Sequence, residues 1–118
     1  MGVRTLSIAA LRTLLAHDAA TLYDVNGHAR WLQAHVPGAV PLDPDGFGAD
    51  ALPVDRQRLL VFYCSGPMCR KAPLAARRAR ALGWSRVRVL SAGIHGWRKA
   101  NLPVQGVAAA TRAADLTS

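Results

Sequence analysis

RLLVFYCSGPMCRKAPLAARRARALG, residues 58–83, decides the fold. Its opening, through Cys64, is a nearly continuous apolar run of the length and kind that a central parallel strand buried on both faces requires. The run ends at Cys64 and gives way to a turn containing Gly66 and Pro67. An alanine-rich segment follows and stops at Gly83, a residue suited to the C-terminal end of a helix. In that helix Leu74, Ala75, Ala79 and Leu82 are expected to form a narrow apolar face, with Arg77, Arg78 and Arg80 off it in solvent.

Strands and helices continue in both directions. Downstream, VRVL (87–90) reads as a strand, SAG as a turn, IHGWRKA as a short helix, and Pro103 closes the pattern. Upstream, ATLYDV (20–25) reads as a short buried strand ending near Asp24. Before it, Ser7 is placed to cap a helix over Ile8 to Ala16, with Ile8, Leu11, Leu14 and Leu15 on one face. Asn26 is expected to cap a second short helix through Ala34, HVPGAVPLD (35–43) to turn into a short extended piece, and residues 43–50 to form a loop. This alternation predicts one α/β domain over residues 1–104, with a central, mostly parallel sheet and helices on both faces. Residues 105–118 carry few bulky apolar side chains and are expected to be a loose, flexible C-terminal tail.

Composition narrows the function. With 118 residues, about half of them hydrophobic, the chain can bury a core. The formal charge is +8, the basic residues are nearly all arginine, and there is no glutamate. Such a balance favours anionic partners, although a solvated arginine-rich surface accounts for most of it. No nucleic-acid motif or interleaving of basic and stacking aromatic residues is found, so nucleic acid is not expected as a partner. Two cysteines are too few for a disulfide framework or, without distant histidines, a zinc site; no metal is expected. The N-terminal apolar run is broken by Arg12 and no segment reaches membrane-spanning length, so a cytoplasmic protein away from membranes is expected.

In parallel α/β sheets, sites form beyond the carboxyl ends of the strands. Asp24, Cys64 and Ser91–Gly93 fall at such ends and should lie near one another. At Cys64 a strand meets a glycine-containing turn, then Arg70, then a helix start. Gly66 is expected to permit an unusual dihedral, and Pro67 removes one amide donor. The remaining amides of the turn, from Ser65, Gly66, Met68 and Cys69, are expected to face inward as an anion nest, with the helix dipole and the Arg70 guanidinium adding positive potential. Together these would favour thiolate over thiol at Cys64.

The chain resembles the rhodanese family over roughly residues 6–104. LYDVNGHARWLQAHVPGAVPLD is similar to the N-terminal half of such a domain, and LLVFYCSGPMCRKAPLAARRARALGWSRVRVLSAGIHGW to its C-terminal half. The resemblance implies a sulfurtransferase in which Cys64 takes a sulfane sulfur from a small anionic donor such as thiosulfate. The resulting persulfide is then passed to cyanide, a thiol or a protein sulfur acceptor, without metal or organic cofactor. Arg70 would help to bind the donor's sulfonate end. His35 would lock the HVPGA turn, and Asp24 would accept loop amides or an arginine.

Several positions depart from the family pattern. Asn26 stands where an arginine is common, Ala34 where glycine usually precedes the histidine, and Ala92 where a glycine is common. Cys64 through Arg70 is a longer loop than the family's sulfurtransferases carry, and resembles the wider loop of phosphatases and arsenate reductases on the same fold. No carboxylate stands in or beside it as a general acid. A second alternative is a non-catalytic module that binds a protein partner. Cys69 is either a resolving thiol for Cys64 or a residue buried under the helix start.

Overall fold

The computed structural model describes residues 2–108. In chain order the elements are β1 (Thr5–Leu6), α1 (Ile8–Ala16), β2 (Ala20–Asp24), α2 (His28–Gln33), β3 (Val40–Pro41), a single 3-10 turn (Ala49–Ala51), β4 (Leu59–Tyr63), α3 (Lys71–Ala81), β5 (Val87–Leu90) and α4 (Gly93–Lys99). The five strands form one sheet in the order β1-β5-β4-β2-β3, and every pairing is parallel.

β4 is central, and its period of two sorts the core. Leu60, Phe62 and then Cys64 face α3 together with Tyr23, Val87 and Val89. Leu59, Val61 and Tyr63 face the other layer with Leu11 of α1 and Trp97 of α4. All five residues of β4 are buried, which explains why its sequence shows no polar alternation.

α3 is legible in position but not in face. Its buried residues are Ala72, Ala75, Ala76 and Ala79, whereas Leu74 is 52% exposed. A face of methyl groups lets the helix lie close to the sheet, and this brings its first amides to the end of β4. Arg78 is not simply solvated: its Nε donates to the Phe47 carbonyl at 2.6 Å and its guanidinium lies 5.3 Å from the Phe47 ring centroid.

Ser7 caps α1, its hydroxyl oxygen accepting from the Ala10 amide at 3.1 Å. Gly27, not Asn26, occupies the N-cap of α2. Asn26 is buried, and its own N–H donates to Asp24 Oδ1 at 2.8 Å, so it belongs to the turn leaving β2. The loop expected over 43–50 runs into the 3-10 turn at Ala49–Ala51. β1 was not anticipated, being two residues on a sheet edge paired with Val89 and Leu90. Gln105 exchanges two 2.9 Å backbone hydrogen bonds with His35. Residues 109–118, most of the expected tail, lie outside the described residues. No helix among the described residues is long and apolar enough to cross a membrane.

Candidate functional site

Cys64 follows β4 directly, at the carboxyl end of the central strand, and is 2% exposed. The turn after it is fixed from outside by α4. The Ile94 N–H donates to the Cys64 carbonyl at 3.0 Å, and the His95 N–H to the Ser65 carbonyl at 2.9 Å. No peptide bond among the described residues is cis. In a trans peptide the N–H points opposite to its carbonyl. The Ser65 and Gly66 N–H groups therefore point away from these two α4 donors.

Gly93 permits this clamp. Its φ is +63°, and a Cβ there would lie 2.6 Å from the carbonyl carbon and oxygen of Ser65 and from the Gly66 nitrogen. The unusual dihedral expected at Gly66 is thus found at Gly93. Gly66 does not have a positive φ, and a Cβ on it would make only ordinary contacts at 3.9 Å.

Two backbone amides reach the Cys64 sulfur: those of Ser65 and of Ala72 in the first turn of α3. The Cys69 N–H donates to the Gly66 carbonyl at 3.1 Å, closing a turn that folds Cys69 back onto Cys64. The Lys71 and Ser65 amides, the Ser65 hydroxyl and the Cys64 thiol lie close enough to Cys69 to favour its thiolate. Both cysteines line a cavity of about 130 Å³ between the loop, the start of α3 and the β1–β5 edge, with Thr5, Pro73 and Val89 among its walls.

The charge in this pair differs from expectation. Burial, and next the hydrogen bond with Cys69, push the Cys64 thiol up to about 11, against the opposing pull of the Ala72 and Ser65 amides. Burial also opposes a Cys69 thiolate, but the Cys64 thiol, the Lys71 and Ser65 amides and the Ser65 hydroxyl outweigh it and lower that thiol. Of the two thiols, the less buried Cys69 therefore gives up its proton before Cys64. Burial of Cys64 and the neighbouring thiol of Cys69 thus oppose the effect of the loop amides.

The other sequence-derived site residues are placed unequally. The Ser65 amide lies near the Cys64 sulfur, and Gly66 lines the cavity. Met68 is 93% exposed at the apex of the loop. Arg70 is exposed at the N-cap of α3, does not line the cavity, and forms no ion pair among the described residues. Asp24 is 1% exposed; its Oδ1 accepts from the Asn26 N–H and its Oδ2 from the Tyr63 hydroxyl at 2.7 Å. The Tyr63 oxygen accepts the Val36 N–H at 3.0 Å, so Asp24 is joined to the HVPGA turn without the arginine that Asn26 replaces. His35 stacks on Trp31 at 4.2 Å between centroids, and its Nδ1 lies 2.7 Å from the Trp31 carbonyl. His28 stacks on Trp31 as well. Sequence reasoning missed Tyr63, which looked like one more apolar strand residue, and the clamp by Gly93, Ile94 and His95. The topology rule had flagged Ser91–Gly93 as a neighbour of Cys64, which was the available signal.

A family model of the rhodanese-like domain matches residues 7–100. The chain belongs to the rhodanese-like domain family. This rhodanese-like chain is 41% identical over 85 residues to an HTH-type transcriptional regulator of Mycobacterium tuberculosis, covering 71% of the chain and 37% of the regulator. It thus spans little more than a third of that relative's length. Among solved structures, the BH2092 protein of Bacillus halodurans superposes with a TM-score of 0.82 at 28% identity, covering 89% of this chain and 78% of that one. A human single-domain sulfurtransferase superposes with a TM-score of 0.69 at 25% identity, covering 83% of this rhodanese-like chain and 97% of the human one.

Proposed function

We propose that this rhodanese-like domain is a sulfurtransferase that carries sulfane sulfur as a persulfide on Cys64. The observation that supports this reading is the convergence of the Ser65 and Ala72 amides on the Cys64 sulfur at the carboxyl end of β4. Amides held by the fold stabilise the anion that develops there without having to reorganise. The human sulfurtransferase of similar fold adds weight to the same chemistry.

With thiosulfate as donor, Cys64 gives up its proton to solvent and its Sγ attacks the sulfane sulfur. A bond forms between Sγ and the sulfane sulfur, the bond to the sulfonate sulfur breaks, and sulfite leaves with the electron pair. The persulfide anion then occupies the amide cradle. An acceptor such as cyanide or a thiol attacks its outer sulfur and restores Cys64. The low exposure of Cys64 and the size of the cavity suit small donors and acceptors. The phosphatase or arsenate-reductase alternative asks Arg70 to clamp oxyanion oxygens, and its place outside the cavity counts against that use. The test follows sulfite release from thiosulfate and thiocyanate formation from cyanide. Both are expected from the wild type and neither from Cys64→Ser; a wild type that yields neither product would overturn the reading.

A further inference from the structure

Transfer to an external acceptor leaves one group of the loop without a role once the persulfide has formed: the Cys69 thiol. Three independent features tie it to Cys64. The Gly66–Cys69 turn folds it back, through the 3.1 Å bond from the Cys69 N–H to the Gly66 carbonyl. The two thiols are near enough to shift each other's titration, Cys64 upward and Cys69 downward. Both side chains face one small cavity, walled largely by apolar groups, in which the Cys64 sulfur is nearly inaccessible from solvent.

We propose that Cys69 resolves the Cys64 persulfide within the loop, releasing hydrosulfide and leaving a Cys64–Cys69 disulfide. This rests on the sulfur-transfer reading of Cys64. The Cys69 thiol passes its proton to the outer sulfur of the persulfide anion and is left as a thiolate. That thiolate attacks Cys64 Sγ across the cavity that both side chains line. The bond formed joins the two Sγ atoms. The bond broken is the one between Cys64 Sγ and the sulfane sulfur, which departs with the electron pair as hydrosulfide. Relative to the dithiol, the sulfane sulfur gains two electrons and the cysteine pair gives up two, so no external oxidant enters. Return to the dithiol needs a dithiol reductant. The loop then acts once per reduction: it converts a sulfane sulfur into sulfide and records the event as a disulfide.

The same proximity lowers the Cys69 thiol below its ordinary value, and the Lys71 and Ser65 amides, together with the Ser65 hydroxyl, support the attacking thiolate.

The test exposes wild type and Cys69→Ser to thiosulfate without oxygen and without acceptor, and reads sulfite, free sulfide, intact mass and the peptide linkage of Cys64. The wild type should release one sulfite and one sulfide per chain, lose two hydrogens in mass and yield a Cys64–Cys69 cross-link. Addition of dithiothreitol should raise sulfide output manyfold. Cys69→Ser should release sulfite, gain the mass of one sulfur and release no sulfide. A wild type that keeps the added sulfur and forms no cross-link overturns the inference while leaving the sulfurtransferase reading intact, and so does Cys69→Ser releasing sulfide as the wild type does. If neither protein releases sulfite, the reading of Cys64 fails and the inference with it. The wild-type measurements stand without the variant.

Discussion

Replacing Gly93 by alanine tests whether the amide cradle is built from outside the loop. At φ +63° an alanine enters the left-handed region, at about 1–2 kcal/mol. Its Cβ would also lie 2.6 Å from backbone atoms of Ser65 and Gly66, far inside contact distance, so the loop or α4 must move. Movement loosens the bonds from Ile94 to Cys64 and from His95 to Ser65, each contributing about 0.5–1.5 kcal/mol. The expected destabilisation of Gly93→Ala is therefore about 2–5 kcal/mol, a large share of the stability of a small domain. Urea unfolding measures it, and iodoacetamide labelling with peptide mapping should find Cys64 modified faster as the sulfur loses its enclosure. Gly27→Ala is the control: φ there is +101°, yet nothing lies within 4 Å of an added Cβ, so only the backbone term applies. Gly66→Ala should leave the fold intact, since its added methyl meets only ordinary contacts. If Gly93→Ala unfolds at the same urea concentration as Gly27→Ala, with unchanged labelling of Cys64, the clamp by α4 does not govern the loop.

Arg70→Lys should change protection of the cysteines by thiosulfate less than threefold, because the guanidinium lies outside the cavity; a loss of about 10-fold or more would reinstate Arg70 as an anion clamp. Tyr63→Phe strands Asp24 Oδ2 and the Val36 N–H in the core, at about 1–3 kcal/mol for each group, and urea unfolding indistinguishable from wild type would show that the network contributes nothing. Alkaline stability should follow the tyrosines. Burial pushes Tyr23 from 10.0 up to about 12, and Tyr63 is raised as well, by burial first and then by the Asp24 carboxylate. A raised folded value means that the folded chain holds its phenol protons more tightly, so this contribution is complete below pH 10 and is lost as pH rises from about 10 to about 12. Phenolate absorbance should then appear together with loss of the helical circular dichroism; phenolate growing near pH 10 with the helix signal intact would contradict it.

The order of the principal elements was legible because β4 and α3 carry their periods in the sequence, and parallel α/β connection rules leave few arrangements for the rest. β1 was not legible: two residues held by β5 on a sheet edge have no period of their own. The face of α3 was misread because size decided it rather than hydrophobicity. Alanine admits the helix close to Phe62 and Leu60, while Leu74 is turned out. At the site, the position of Cys64 followed from the strand, and Asp24 and Ser91–Gly93 from the topology rule. The order in which Cys64 and Cys69 give up their protons did not follow, because it depends on the proximity of the two thiols and on burial, neither of which spacing encodes. The glycine that matters most to the loop is not in the loop at all.

That arrangement supplies a spectroscopic handle. The Ile94 and His95 amides belong to α4, yet they are tied to the carbonyls of Cys64 and Ser65 and so sense the loop from a neighbouring element. Any event that reshapes the loop, whether a persulfide filling the cradle or the two cysteines joining, must tighten or release those two bonds. Their chemical shifts and hydrogen-exchange rates therefore register the chemical state of residues they do not belong to. One nitrogen-edited spectrum, followed at those two cross-peaks during a titration with sulfur donor, would read the loop without placing a probe on either sulfur.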